Sequence, residues 1–179
     1  MRFTTPLISL AVGGLLVGAA LFAQDAGMPP MPKPAPEHAT LKEHVGVWNA
    51  AFKMQGPLVV EDKATMTYRM LGDFWLVGDY EGHYMGGPFH GHEMSTFNPE
   101  TKEFVTYWVD STNPNITEMK GTWDAATKTM TQKSTQVDPM AGVKTIGKTV
   151  VKDADTMVYT MTPEGASAPM MEITYTRRK

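Results

Sequence analysis

Phe74-Trp75-Leu76-Val77-Gly78-Asp79-Tyr80-Glu81-Gly82-His83-Tyr84-Met85-Gly86-Gly87-Pro88-Phe89-His90-Gly91-His92-Glu93-Met94-Ser95-Thr96-Phe97 reads as two strands folded on one turn. In its first arm Phe74, Leu76, Gly78, Tyr80, Gly82 and Tyr84 recur at every second position, the period of a strand. Gly86-Gly87 is a dipeptide that two-residue hairpin turns favour. On that turn Met85 opposes Pro88, Tyr84 opposes Phe89, His83 opposes His90 and Glu81 opposes His92. Opposed residues share a face of the sheet. One face therefore carries Asp79, Glu81, His83, His90, His92 and Met94. The other carries Phe74, Leu76, Tyr80, Tyr84, Phe89 and Phe97.

The aromatic face is the expected interior. If Phe97 opposes Phe104 across the next turn, Trp108 joins it, and the same register places Glu93 and Asp110 inside, near Tyr80 and Trp108. Buried carboxylates need partners, or their pKa rises. Tyr80, Glu93, Trp108 and Asp110 are the candidate ligand-binding residues, able to orient a polar head group in a mostly apolar cavity. The plainer alternative has both carboxylates solvated at a barrel mouth or satisfying local backbone. His83, His90 and His92 are the candidate metal ligands. Imidazoles beside a carboxylate can hold zinc or copper, and Met94 would favour copper. Pointed outward, the same histidines simply solvate a strand.

Working outward, period two persists. Trp48, Ala50, Phe52 and Met54 alternate, as do Ala64, Met66, Tyr68 and Met70. Further strands are predicted at Glu103–Ser111, Ile116–Trp123, Thr129–Val137, Val143–Lys152, Thr156–Thr162 and Pro169–Arg177. Turn chemistry separates them: Asn98-Pro99-Glu100-Thr101-Lys102, Asp124-Ala125-Ala126-Thr127-Lys128, Asp138-Pro139, Lys152-Asp153-Ala154-Asp155 and Pro163-Glu164-Gly165. About ten short strands with short links argue an all-β, antiparallel, up-and-down barrel, or a half-barrel, because closure removes edge strands. One short helix is expected over Glu37–Val45, with Leu41 and Val45 as its apolar stripe and Gly46 as its stop. His38 and His44 in it read as solvated.

Residues 1–23 read as an export signal: Arg2, then the uncharged apolar run Pro6–Phe22, then Ala23 before Gln24. The alternative, a retained membrane anchor, has a short span for a helix. Residues 24–36 form a proline-rich spacer, and residues 37–179 the barrel domain, large enough to bury a core without staples. An exported protein, periplasmic or secreted, is expected. The chain has no cysteine, which excludes disulfides and a cysteine lipid anchor. Its net charge is −3, with no basic patch, so nucleic acid is not an expected partner.

Catalytic signatures are missing. Ser95, Ser111 and Ser134 lack a nucleophile-elbow context, and there is no phosphate loop, dinucleotide fingerprint or His-Glu-x-x-His. Asn115-Ile116-Thr117 is an acceptor sequon on paper only. The 15 methionines are many. Met54, Met66, Met70, Met130, Met157 and Met161 fall at core-compatible strand positions, where methionine fills irregular gaps or lines adaptable walls.

An ordered set of short motifs carries a resemblance. Pro36-Glu37-His38 leads into Gly46-Val47-Trp48. Gly87-Pro88-Phe89-His90-Gly91, Phe97-Asn98-Pro99, Tyr107-Trp108-Val109-Asp110-Ser111 and Gly121-Thr122-Trp123-Asp124 follow, and the chain ends Met171-Glu172-Ile173-Thr174-Tyr175-Thr176-Arg177. In this order the chain resembles the bacterial domain-of-unknown-function family 1579, across nearly all of the barrel domain. Where that family usually has Gly-Tyr-Asp, this chain has Thr96-Phe97-Asn98; the turn survives, but a site using that hydroxyl or carboxylate would not. The family looks like a member of the calycin group of lipocalin-like barrels. That likeness implies a structural pair, Trp48 under Arg177 (or Arg178). A guanidinium over an indole adds roughly 0.5–2 kcal/mol. The resemblance implies a fold and no activity.

Three readings follow. The first is a non-enzymatic barrel that binds a small, partly apolar ligand, without a cofactor. The second is a zinc or copper protein, enzyme or metal handler, built on His83, His90 and His92. The third is a structural or interaction module with a filled core.

Overall fold

The computed structural model of the protein describes residues 31–55 and 60–179. The expected export signal and the first part of the expected spacer lie outside the described residues, and residues 31–35 have no regular structure. The helix α1 spans His38–Lys42. Ten strands follow: β1 Gly46–Met54, β2 Val60–Leu71, β3 Trp75–Tyr84, β4 Gly87–Asn98, β5 Glu103–Asp110, β6 Asn113–Asp124, β7 Thr129–Ser134, β8 Thr145–Asp153, β9 Thr156–Pro163 and β10 Met171–Arg177. Each pairs antiparallel with its sequence neighbour, and β10 returns to β1, closing the barrel. The expected all-β, up-and-down barrel is therefore the observed one, and the closing seam runs from Trp48 opposite Arg177 to Met54 opposite Met171.

Alternation decides which side chains fill the barrel. Trp48, Ala50, Met66, Tyr68, Leu76, Tyr80, Phe97, Phe104, Met157, Ile173 and Tyr175 are buried inside, with Leu41 of α1 packed against them. Of the methionines expected in the core, Met54, Met66 and Met157 are buried, and Met70 and Met130 pack partly against it.

The β3–β4 turn sits one residue earlier than the Gly86-Gly87 expectation. Met85 (φ 52°) and Gly86 (φ 82°) are its central residues, and Tyr84 opposes Gly87. The physical reason is Pro88. A turn centred on Gly86-Gly87 would need the residue at 88 to donate its backbone N–H to Met85, and proline has none. Moving a two-residue turn by one position shifts the pairing but keeps every side chain on its face. His83 thus opposes Pro88 rather than His90, Glu81 opposes His90, and Asp79 opposes His92.

One barrel end is capped by α1. The helix is shorter than expected, because the chain tightens after Lys42: the His44 and Val45 amides bond the carbonyls three residues back, at 3.1 and 3.2 Å. Leu41 is buried and Val45 is left outside. The two histidines here are not solvated as expected. His38 is buried edge-on against Phe74 and Phe97, with ring centroids 5.5 and 5.9 Å away. His44 lies against Tyr68 and bonds the Thr40 carbonyl through Nδ1 at 3.1 Å. Burial pushes the His44 imidazole pKa below its usual value.

At this end Arg177, not Arg178, lies over Trp48, with Cζ 4.0 Å from the ring centre. Its guanidinium donates to the carbonyls of Val45, Glu43 and Ala154. Gly46 has φ +139°, and a Cβ there would lie 2.6 Å from Arg177 Nη1, which explains glycine two residues before Trp48. Arg178 instead bonds Asn49 and Thr65 on the outer wall.

Candidate functional site

Glu93 is the centre of the interior polar residues. It stands on β4 opposite Trp108 of β5, and strand parity turns both inward. Tyr68 Oη donates to Glu93 Oε2 at 2.9 Å, and Ser95 Oγ donates to Oε1 at 2.7 Å. Ser95 also bonds Thr106 at 2.9 Å, and Thr106 bonds Gln132, whose amide donates to the Phe104 carbonyl at 3.2 Å. A polar chain thus runs across the inner wall from β2 through β4 and β5 to β7.

Burial pushes the Glu93 pKa above its usual value, against the Ser95 and Tyr68 hydrogen bonds and the His92 charge, which hold it down. The same enclosure, with the Glu93 charge, raises Tyr68, Tyr159 and Tyr175. Burial, with the Asp62 charge, pushes Tyr80 up to about 12. No cation in hydrogen-bond reach neutralises the carboxyl among the described residues.

Above this chain, towards the end opposite α1, lies a group of rings. Tyr80 meets Phe89 at 5.7 Å and Trp108 at 6.1 Å, edge-on. Phe89 and Trp108 stack at 6.5 Å with an interplanar angle of 21°. Tyr84 touches Phe89 and Phe52. Small residues make room for them. A Cβ on Gly91 would lie 2.2 Å from the Trp108 ring, so the indole fits only against bare backbone there.

Several inward groups keep uncovered surface. Phe52, Tyr84, Phe89, Glu93, Trp108, Tyr159, Met161 and Met171 are only partly buried. Tyr80 and Tyr175 are each 6% exposed, and neither hydroxyl has a hydrogen-bond partner among the described residues. No side-chain nitrogen or oxygen fully sealed from solvent lacks a partner among those residues, so these two hydroxyls are not completely sealed.

Tyr80, Glu93, Trp108 and Asp110 thus share the inner face, as expected from the sequence, but the two acids differ. Glu93 sits deep. Asp110 sits at the rim, accepting from Trp108 Nε1 at 3.0 Å, the Thr112 amide at 2.8 Å and the Thr112 hydroxyl at 2.6 Å. It satisfies local groups. Ser95, Thr106, Gln132, Tyr159 and Tyr175 were not expected in the site. Counting two residues on from Glu93 and two back from Trp108 would have found Ser95 and Thr106.

The histidine face points outward. His92 Nδ1 pairs with Asp79 at 2.7 Å, both substantially exposed. His90 and Glu81 line two shallow outer depressions of about 320 and 470 Å³, and His83 joins only the second. Among the described residues no three His, Asp or Glu side chains are arranged to hold a metal ion. The register is the reason, since it separates His83 from His90 and gives His92 to Asp79.

Comparison with known proteins supports the fold. No curated protein matches the chain. Among solved structures, Rv2717c from Mycobacterium tuberculosis superposes with a TM-score of 0.61 at 13% identity, covering 82% of this chain and 100% of that one. The S-type phycobiliprotein lyase CPES from Guillardia theta gives 0.53 at 9% identity, covering 80% and 93%. The family described as "Protein of unknown function (DUF1579)" matches residues 33–177, and the chain belongs to it.

Proposed function

We propose that this protein is an exported, non-enzymatic barrel that binds a small, partly apolar molecule inside its wall. The observation that carries the reading is Glu93: a deep, partly uncovered carboxyl bonded by the Tyr68 and Ser95 hydroxyls, on an inner wall where the Tyr80 and Tyr175 hydroxyls have no hydrogen-bond partner among the described residues. A barrel that served only as a scaffold would be as stable, or more so, with apolar groups there, since burying a carboxyl without full compensation costs several kcal/mol, on the order of 2–5. Apolar walls with a few convergent polar groups are the usual make-up of a small-molecule site. The aromatic residues occupy much of the far end, so a ligand enters by displacing rings rather than by filling an empty chamber.

The test uses 1-aminoanthracene, a planar apolar fluorophore with one amine donor. Titrated into the full protein, it is expected to give a saturable, blue-shifted emission with quenching of tryptophan fluorescence. Trp108→Ala should weaken that binding about tenfold, the scale of removing one aromatic wall. No saturable signal over the probe's solubility range, or an unchanged affinity in Trp108→Ala, would overturn the reading. Export rests on residues 1–23. Fractionation of the expressing cells, with sequencing of the processed N-terminus, should find a chain beginning at Gln24 outside the cytoplasm.

A further inference from the structure

We propose that the interior site selects a ligand bearing a cationic nitrogen, held against Glu93 with its apolar body between Tyr80, Phe89 and Trp108. The proposal rests on the ligand-binding reading above and adds the charge of the ligand.

The sign of the interior is the first reason. Strand parity and pairing place Asp62, Glu93 and Asp110 on inward positions. Along the same inward positions, among the described residues, the only basic side chain is Arg177. It is committed at the capped end, over Trp48 and on three carbonyls. An anion entering the barrel would meet three carboxyls and no counter-charge. A cation would meet the opposite.

Unused hydrogen-bond capacity is the second reason, and it is independent of charge. The Tyr80 and Tyr175 side chains are more than nine-tenths buried, and their hydroxyls, not fully sealed from solvent, have no hydrogen-bond partner among the described residues. Glu93 accepts one bond on each oxygen, from Tyr68 and from Ser95. Each oxygen retains a second lone-pair site. Phenol oxygens and carboxyl oxygens together form an acceptor set, which suits the several N–H groups of an ammonium. The third reason is the wall itself. Cations are attracted to the faces of tyrosine, phenylalanine and tryptophan, most strongly where water is excluded.

The test compares three probes of one chain length, decylammonium, decanol and decanoate, each competing with 1-aminoanthracene at neutral pH. Decylammonium is expected to displace the fluorophore at a concentration about tenfold below that needed for decanoate, with decanol between them, as a paired against an unpaired buried charge predicts. In Glu93→Gln the preference for decylammonium over decanoate should collapse to about twofold. Tyr175→Phe, a milder change, should weaken decylammonium more than decanol. Equal displacement by decylammonium and decanoate, a preference for decanoate, or a preference retained in Glu93→Gln would overturn the proposal. The uptake of 1-aminoanthracene is read first and separately. Its failure removes the ligand reading and this proposal together, whereas uptake without charge preference removes only the proposal.

Discussion

The two ends of the barrel are built from the same kinds of residue and reach different states. At the capped end Trp48 is 2% exposed, its Nε1 donates to the His44 carbonyl at 2.8 Å, and Arg177 covers its ring. Leu41 and His38 close over the same layer. At the opposite end Trp108 also has a partner for its Nε1, Asp110, but the ring stays partly uncovered beside Phe89 and Tyr84. At the capped end His38, His44, Trp48 and Arg177 are each bonded to a backbone carbonyl. The polar groups in the interior beyond it include two tyrosine hydroxyls without a hydrogen-bond partner among the described residues and a carboxyl with lone pairs to spare. An end that must hold the barrel shut is packed to completion. Incomplete packing at the other end is affordable only because the first is complete.

The comparison is most exposed to tryptophan truncation. Trp48→Ala should cost about 3–5 kcal/mol, the range for removing a fully packed large aromatic. Trp108→Ala should cost about 1–2 kcal/mol, because less of its surface leaves water on folding. Chemical denaturation of the two variants measures both. Equal losses would mean that the ends are equally packed and that the distinction drawn here is wrong. Arg177→Leu comes next, with an expected loss of about 1–3 kcal/mol from the ring contact and the charge-assisted hydrogen bonds together. Arg178→Leu, removing bonds on the exposed outer wall, should stay within about 0.5 kcal/mol.

Acid and base distinguish the two regions with opposite sign. Burial lowers the His44 pKa below its usual 6.5, with the Arg177 charge acting the same way and Glu43 and the Thr40 carbonyl opposing. A base with a depressed folded pKa binds fewer protons folded than unfolded, so stability is lost as pH falls below about 6.5. Burial raises the Glu93 pKa above its usual 4.5. An acid with a raised folded pKa binds more protons folded, so its stabilising share is full below about pH 4.5 and is lost as pH rises through the folded value. Relative to the parent, His44→Gln should therefore gain stability on acidification, and Glu93→Gln should gain it on going from acid to neutral pH. Denaturation curves at a series of pH values for the three proteins separate the effects. Difference curves with the same sign would remove the contrast.

Much of this was legible in the chain, for reasons that the structure makes plain. Inward positions such as Trp48, Met66, Tyr80 and Phe104 recur at period two because each is paired across one wall that has a single inside. Asn98 and Asp124 announce turns because each carboxyl or amide oxygen caps the amides of the following residues, at 2.9 Å in both cases. What could not be read depended on neighbours distant in sequence. A histidine in a five-residue helix looks solvated until Phe74 and Phe97 close on His38. The chain of Ser95, Thr106 and Gln132 needs the registers of β4 with β5, β5 with β6 and β6 with β7 together, and an error in any one breaks it. The β3–β4 register needed one local fact to be weighed properly, the missing N–H of Pro88. The faces survived that slip, since it moved the turn without changing its length.

The smallest expected effect concerns the outer wall of that hairpin. His90→Ala with His92→Ala removes an exposed hydrogen bond to Asp79 and two exposed rings. Exposed pairs of this kind contribute between about 0 and 1 kcal/mol, so the double variant should lie within about 0.5 kcal/mol of the parent. It should also bind 1-aminoanthracene unchanged, because the two faces of one strand are separated by the wall itself. Equilibrium dialysis of untagged protein against zinc and copper gives the converse measurement. Asp79 already occupies His92, and Pro88 stands opposite His83, so His90 faces Glu81 with no third ligand on its cross-strand pair. Stoichiometric metal uptake that disappears in the double variant would mean that the outer face rearranges to gather those side chains, and the outer wall, not the interior, would then hold the chemistry of this barrel.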